Sequence, residues 1–137
     1  MNRYLVDTNV VSELRKPKPH GAVTAWFRSL SEDQLFLSAV TLGELQSGIE
    51  RTRLQDPAKA EEIENWVDQL MISYQVLPMD AASFREWGRL MRGKSDHLIE
   101  DGMIAATARV HNLVVATRNE GDFKQLGVPL VNPFKTV

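Results

Sequence analysis

Five short apolar runs, "YLV" at 4–6, "LFLSAV" at 35–40, "YQVLP" at 74–78, "LVVAT" at 113–117 and "PLVN" at 129–132, alternate with segments of helical spacing at roughly 9–15, 20–30, 41–53, 57–73, 80–92, 100–111 and 119–126. This alternation constrains the fold more than any other feature. Apolar runs without polar interruption suit strands buried on both faces, and helices between strands suit parallel crossovers. The pattern predicts an α/β fold, with a central, mainly parallel sheet of about five strands flanked by helices in three layers.

Punctuation along the chain supports the same division. "KPKPH" at 16–20 ends the first helix, because proline cannot continue it and restrains the residue before it. Asp56 and Pro57 stand as N-cap and first helical residue, so 41–73 reads as a helical hairpin. "GKSDHLIED" at 93–101 is the most loop-like stretch and a candidate lid or rim. No repeat, low-complexity tract or linker breaks the 137 residues, which are expected to form a single domain over 1–137.

With no cysteine, the chain has no disulfide, thiol nucleophile or cysteine-held zinc, so any metal must be bound by oxygen or histidine. No apolar run approaches the ~20 residues of a membrane span, and no basic segment leads into an apolar signal core, so no membrane association and a cytoplasmic location are expected.

Four acids occupy related positions. Asp7 follows the first strand, Glu44 lies in the first turn of the helix after "LFLSAV", Asp101 in the first turn of the helix "EDGMIAATARV", and Asp122 in the turn after "LVVAT". Each has an ordinary explanation: "TLGE" at 41–44 has the form of a capping box, "NEGD" at 119–122 reads as an Asn cap with an acid three residues on, Asp101 suits a helix amino end, and Asp7 suits an Asx-turn. Yet the strands of a parallel sheet all end on one edge, where ligand sites form. Asp101 also heads the stripe Asp101, Ile104, Ala105, Ala108, which should face the sheet and aim its carboxylate at the strand ends. Ser47 and Gly48, beside Glu44, leave room for something to approach.

Crowded carboxylates need relief. Two unit charges ~4 Å apart repel by about 4 kcal/mol at an effective dielectric near 20. Apart from Arg109, at the far end of its helix from Asp101, these motifs contain no lysine or arginine except Arg118, so a hard divalent ion, Mg²⁺ or Mn²⁺, is the natural counter-charge. Such a site suits phosphodiester hydrolysis.

"YLVDTNVVSEL", "SAVTLGELQSGI", "IEDGMIAATARVHNL" and "VVATRNEGDF" resemble, in order, the motifs of the PIN-domain ribonucleases, and within them the VapC-type toxins of bacterial toxin–antitoxin pairs, FitB-like subgroup. The resemblance implies a PIN-like parallel sheet and an Mg²⁺- or Mn²⁺-dependent endoribonuclease. Its acids map onto Asp7, Glu44, Asp101 and Asp122, with Asp7 and Asp101 the most direct metal ligands. Thr8, Asn9, Thr117 and Asn119 fall at polar motif positions that orient ligands or waters. Asn119 replaces an aspartate found in some PIN domains, which leaves open whether Asp122 binds metal directly or through water. The family also implies an RNA substrate, a homodimer and a cognate VapB-type antitoxin whose carboxyl-terminal segment covers the groove. The hairpin residues Leu42, Leu45, Ile49, Ile63, Trp66 and Leu70 are candidates for a groove wall or an ordinary core face.

The formal charge of −2 offers no bulk attraction for nucleic acid, but setting the four acids aside leaves 14 acids against 16 Lys and Arg. Arg15, Lys16, Lys18, Arg51, Arg53, Arg89, Arg92, Lys94 and Arg118 flank the motifs and are candidate phosphate contacts, with Arg118 favoured by its place beside Asn119; solvated surface charge is the alternative. His97 is either an acid–base group or a loop bystander. The three tryptophans read as core or subunit interface. Rival functions are a housekeeping PIN nuclease without antitoxin, and a non-catalytic peptide- or RNA-binding module whose acids are caps. A phosphoaspartyl enzyme fits poorly, since Asn9 stands where a second aspartate is wanted.

Overall fold

The computed structural model describes residues 1–135, so the domain expected over 1–137 runs two positions beyond them. Five strands, β1 (Tyr4–Val6), β2 (Leu35–Ser38), β3 (Gln75–Leu77), β4 (Val114–Ala116) and β5 (Leu130–Val131), form one sheet in the order β3-β2-β1-β4-β5. Every pairing is parallel, with Tyr4 beside both Leu35 and Val114. The α-helices are α1 (Thr8–Val11), α2 (Gly21–Arg28), α3 (Ala39–Arg53), α4 (Pro57–Ser73), α5 (Ala81–Leu90), α6 (Ile99–Val110) and α7 (Glu120–Gln125).

Alternation along the strands separates the two cores. Leu5, Phe36 and Val115 point to the face covered by α6 and α7, through Ile104, Ala105, Ala108, Phe123 and Leu126. Val6, Leu35 and Leu37 point to the other face, where Val10, Val11, Val23 and Leu70 cover them. Each such fully buried Leu, Ile, Val or Phe contributes about 1.5–3 kcal/mol. The three-layer arrangement follows directly, and the predicted inward stripe of α6 is the one that packs on the sheet. Among the described residues, no helix is long and apolar enough to cross a membrane.

Some boundaries differ from the sequence reading. The run 35–40 is a strand only to Ser38, whose hydroxyl accepts the Val40 N–H and starts α3 at Ala39. Thr41 is therefore inside α3, fully buried, and the capping box with Glu44 does not form. The helix expected over 9–15 is α-helical only to Val11 and tightens into a 3₁₀ turn over Ser12–Arg15. The stretch 93–101 is less open than a lid. A 3₁₀ turn at Asp96–Leu98 runs straight into α6, and Leu98 is anchored in the interior.

Gly102 brings two helices into close approach. A Cβ there would lie 2.6 Å from Met91 Sδ and 3.3 Å from the Trp87 ring, so any larger residue would make the Met91 side chain move aside and the Trp87 ring give slightly. Trp87 also donates its Nε1–H to the Ile99 carbonyl. The first turn of α6, held in place this way, carries Asp101.

The hairpin of α3 and α4 encloses a small core of Ile49, Ala60 and Val67, with Leu42, Leu45, Ile63 and Trp66 half-buried around it. Leu70 joins the core against the sheet instead. Trp26 packs edge-on against Tyr4 and Phe27.

Candidate active site

The strand order sets the position of the site. From β1 the chain adds β2 and β3 on one side, then returns to add β4 and β5 on the other. The reversal falls between β1 and β4, and in an open parallel sheet the crevice at such a point is where ligands bind. Asp7 and Thr117 are the residues just past those two strands.

Asp7 is 3% exposed and serves two purposes. Its Oδ1 accepts the Thr8 N–H at 2.8 Å and caps α1. Its Oδ2 accepts from the Thr117 hydroxyl at 2.7 Å and from the Asn9 amide at 3.2 Å. Asn9 in turn accepts the Arg118 N–H at 3.1 Å, and Thr117 Oγ1 accepts the Asn119 N–H at 3.0 Å. The "DTN" and "TRN" stretches are thus sewn together across the switch point. Asn119 enters this network through its backbone.

Thr8 extends the network to α3. Its hydroxyl donates to Glu44 Oε1 at 2.8 Å and lies 3.2 Å from the Thr41 hydroxyl. Asp101 neighbours Asp122, and Glu44 neighbours Glu100, closely enough that the second acid of each pair raises the carboxyl of the first. His97 Nε2 stands 3.9 Å from Asp122 Oδ1. The Arg118 guanidinium stacks over the Phe134 ring at 4.3 Å.

Glu100 was not among the sequence candidates. Its signal was present, because consecutive acids on a helix point about a quarter-turn or more apart. Asp101 can face the strand ends while Glu100 faces α3.

The capping-box explanation fails for Glu44 and Asp122. Glu44 sits past the first turn of α3, which Ser38 caps. Asn119 stands at the α7 cap position without a side-chain bond, so no Asn cap forms ahead of Asp122, whereas Asp101 does lie in the first turn of α6, where a helix amino end favours an acid. Asp7 alone caps a helix.

The electrostatics agree. Burial pushes the Asp7 carboxyl up, against the hydrogen bonds from Thr117, Thr8 and Asn9. Burial, then the neighbouring Glu100, pushes Glu44 up to about 7. Asp101 also rises to about 7, through burial first and then the charges of Asp7 and Asp122. Among the described residues, no three acidic or histidine side chains already stand at the spacing of a closed metal cage. The donor set nevertheless fits a hard ion, because Mg²⁺ keeps several waters and takes only one or two protein carboxylates, unlike a caged calcium or zinc.

A family model for the PIN domain matches residues 4–129. The chain belongs to the PIN-domain family. It is 34% identical to VapC ribonuclease Y4jK of Sinorhizobium fredii, over 96% of this chain and 97% of that protein. It is equally 34% identical to toxin FitB of Neisseria gonorrhoeae, over 95% of this chain and 97% of the relative. The crystal structure of FitAcB from Neisseria gonorrhoeae superposes with a TM-score of 0.85 at 33% identity, over 97% of this chain and 99% of that one. The PIN fold accounts for the parallel sheet, and the acids of this PIN domain lie at its switch point.

Proposed function

We propose that this PIN domain is a divalent-metal-dependent endoribonuclease that acts as the toxin of a toxin–antitoxin pair. The observation that carries the reading is the convergence of Asp7, Glu44, Asp101 and Asp122 from four separate segments, three of them without capping duties. The names of the ribonuclease and toxin relatives support the activity and the role.

Asp7 and Asp101 would hold the Mg²⁺ or Mn²⁺ ion, with Glu44 and Asp122 close enough to assist. When bound, the ion lowers the pKa of a water and stabilises charge on the phosphate oxygens. The chain's own residues prepare the place. Three donors fix both oxygens of Asp7, so it presents lone pairs without swinging. Thr8 holds Glu44 in one rotamer. Burial first, and neighbouring acids second, oppose ionisation of Asp101 and Glu44, and a bound cation would favour their charged forms. Thr117, buried and bonded to Asp7, and the backbone of Asn119 stiffen the floor.

A VapB-type antitoxin is proposed to occupy the groove of about 370 Å³ lined by Leu14, Pro17, Ile63 and Trp66 with Arg15 and Lys16 at its rim. A homodimer is part of the same reading.

The purified chain, freed of antitoxin, is expected to cleave RNA with Mg²⁺ or Mn²⁺ and to stop on adding EDTA, read on a denaturing gel. Cleavage that persists in EDTA would overturn the metal dependence. Growth arrest on expression, relieved by the product of an adjacent small reading frame, checks the toxin role. Thr8→Val keeps the shape but removes the donor to Glu44. Loss of such a supporting bond typically costs 10- to 100-fold. Single-turnover cleavage in this variant is expected to slow by that amount with the fold retained, as read by circular dichroism.

A further inference from the structure

A cavity of about 450 Å³ opens beside the acids, lined by Val40, Gly43, Glu44, Ser47, Arg51 and Glu100. Five of these lie on α3 at positions 40, 43, 44, 47 and 51, which is one continuous helix face. Nothing would touch a Cβ at Gly43 within 4 Å, and Ser47 is small, so this face is an open track leading from Glu44 to Arg51.

Several of the positive charges around the motifs are already engaged. Lys16 pairs with Glu13 at 2.9 Å, Arg89 with Glu86 at 3.0 Å, and Arg53 with both Glu50 and Glu64. Arg118 stacks on Phe134. Arg15 lines a second cavity touching Glu44, of about 190 Å³, but its other walls include Leu45, Ile49 and Ile63, which suit a protein side chain better than a phosphate. Arg51 differs. Its Nη1 donates to Ser47 Oγ at 2.9 Å, and among the described residues it makes no ion pair.

That bond gives the distance. Residues 44 and 51 are ~10 Å apart along the helix axis, at about 1.5 Å per residue. Folding back onto Ser47 brings the guanidinium about one turn closer, ~5 Å along the axis from the level of Glu44. This is the scale of one step along a nucleic-acid backbone. The guanidinium keeps donors free for a second, bidentate partner, and phosphate matches its fork.

We infer that Arg51 is a positioning residue that grips an RNA phosphate flanking the one cleaved, drawing the strand along the Val40–Arg51 face of α3. This rests on the ribonuclease reading above. The grip requires no metal, so it belongs to binding of the strand and leaves the chemical step to the acids.

The test compares wild type, Arg51→Ala, Arg51→Lys and Arg53→Ala in Mn²⁺, on one single-stranded RNA that the wild type cleaves. For Arg51→Ala, KM is expected to rise about tenfold with kcat within about twofold. Binding should lose about 0.7 from its slope of log affinity against log salt, the mark of one lost single-strand phosphate contact. Arg51→Lys should recover part of the KM, and Arg53→Ala should match wild type. Mn²⁺ affinity of the free protein should be the same in all four. An Arg51→Ala protein with unchanged KM and salt slope, or one whose defect is weakened Mn²⁺ binding, overturns the inference while leaving the nuclease intact. A wild type inert on RNA overturns both.

Discussion

Asp101→Asn is expected to abolish RNA cleavage and, at the same time, to make the metal-free protein more stable. The two effects have one cause. Asp101 is pushed up to about 7 by burial and by the charges of Asp7 and Asp122, so at pH 8 its ionised form is held in surroundings that oppose it. The amide has nearly the same shape and no charge. Even after discounting for solvent screening at this half-buried position, its relief should be about 1 kcal/mol. For a domain of this size that is about 3 °C in the thermal midpoint. Loss of a metal ligand removes several kcal/mol of transition-state stabilisation, about 10³-fold or more in rate. Asp7→Asn should be as inactive but gain less stability. Its amide relieves a buried charge, yet it would turn a donor toward one of the donors that now bind Asp7, most plainly the Asn9 amide at 3.2 Å. Calorimetry beside a cleavage assay reads both quantities. An active Asp101→Asn protein, or one destabilised by several degrees, would show that the carboxylate is structural.

This opposition between stability and function explains why the site was partly legible in the sequence. Helix breakers and apolar runs are local signals, so the five strands, the hairpin at Asp56–Pro57 and the stripe Ile104, Ala105, Ala108 could be placed without coordinates. Asp7, Glu44, Asp101 and Asp122 stood out because parallel strands end on one edge. Pairwise partners were not legible. No local rule says that Asn9 accepts from the backbone of Arg118, 109 positions away, or that Thr8 reaches Glu44 across 36. The T-x-x-E pattern of Thr41 and Glu44 misled because Ser38, three residues earlier, is an equally good cap and starts the helix first. Glu100 was hidden by its neighbour, since on a helix adjacent acids serve different faces. The loop at 93–98 looked open because its polar residues outnumber the one that matters, Leu98, which pins it.

The same raised acids predict an unusual response to pH. Glu44 moves from an ordinary 4.5 to about 7, and Asp101 from 3.8 to about 7. Below about pH 3 both are protonated in the folded and unfolded chain, and neither affects stability. Between there and about pH 7 the unfolded chain releases protons that the folded one retains. The folded state then binds more protons, so these two groups make stability fall as pH rises, and their effect levels off above 7. Carboxylates with lowered values, such as Glu13 beside Lys16 and Asp80 capping α5, act oppositely at lower pH, so the gap between wild type and Asp101→Asn isolates the effect. That gap should open from near zero at pH 3 to its full size by about pH 7 to 8. A divalent ion should close it. The ion stabilises the folded chain by RT ln(1 + [ion]/Kd) and binds the ionised acids, so the midpoint gained from 10 mM Mn²⁺, on the order of a few degrees, should grow from pH 5 to pH 8. In Asp7→Asn and Asp101→Asn the gain should vanish at every pH. A gain that is independent of pH, or equal in the variants, would place the ion somewhere other than among these carboxylates.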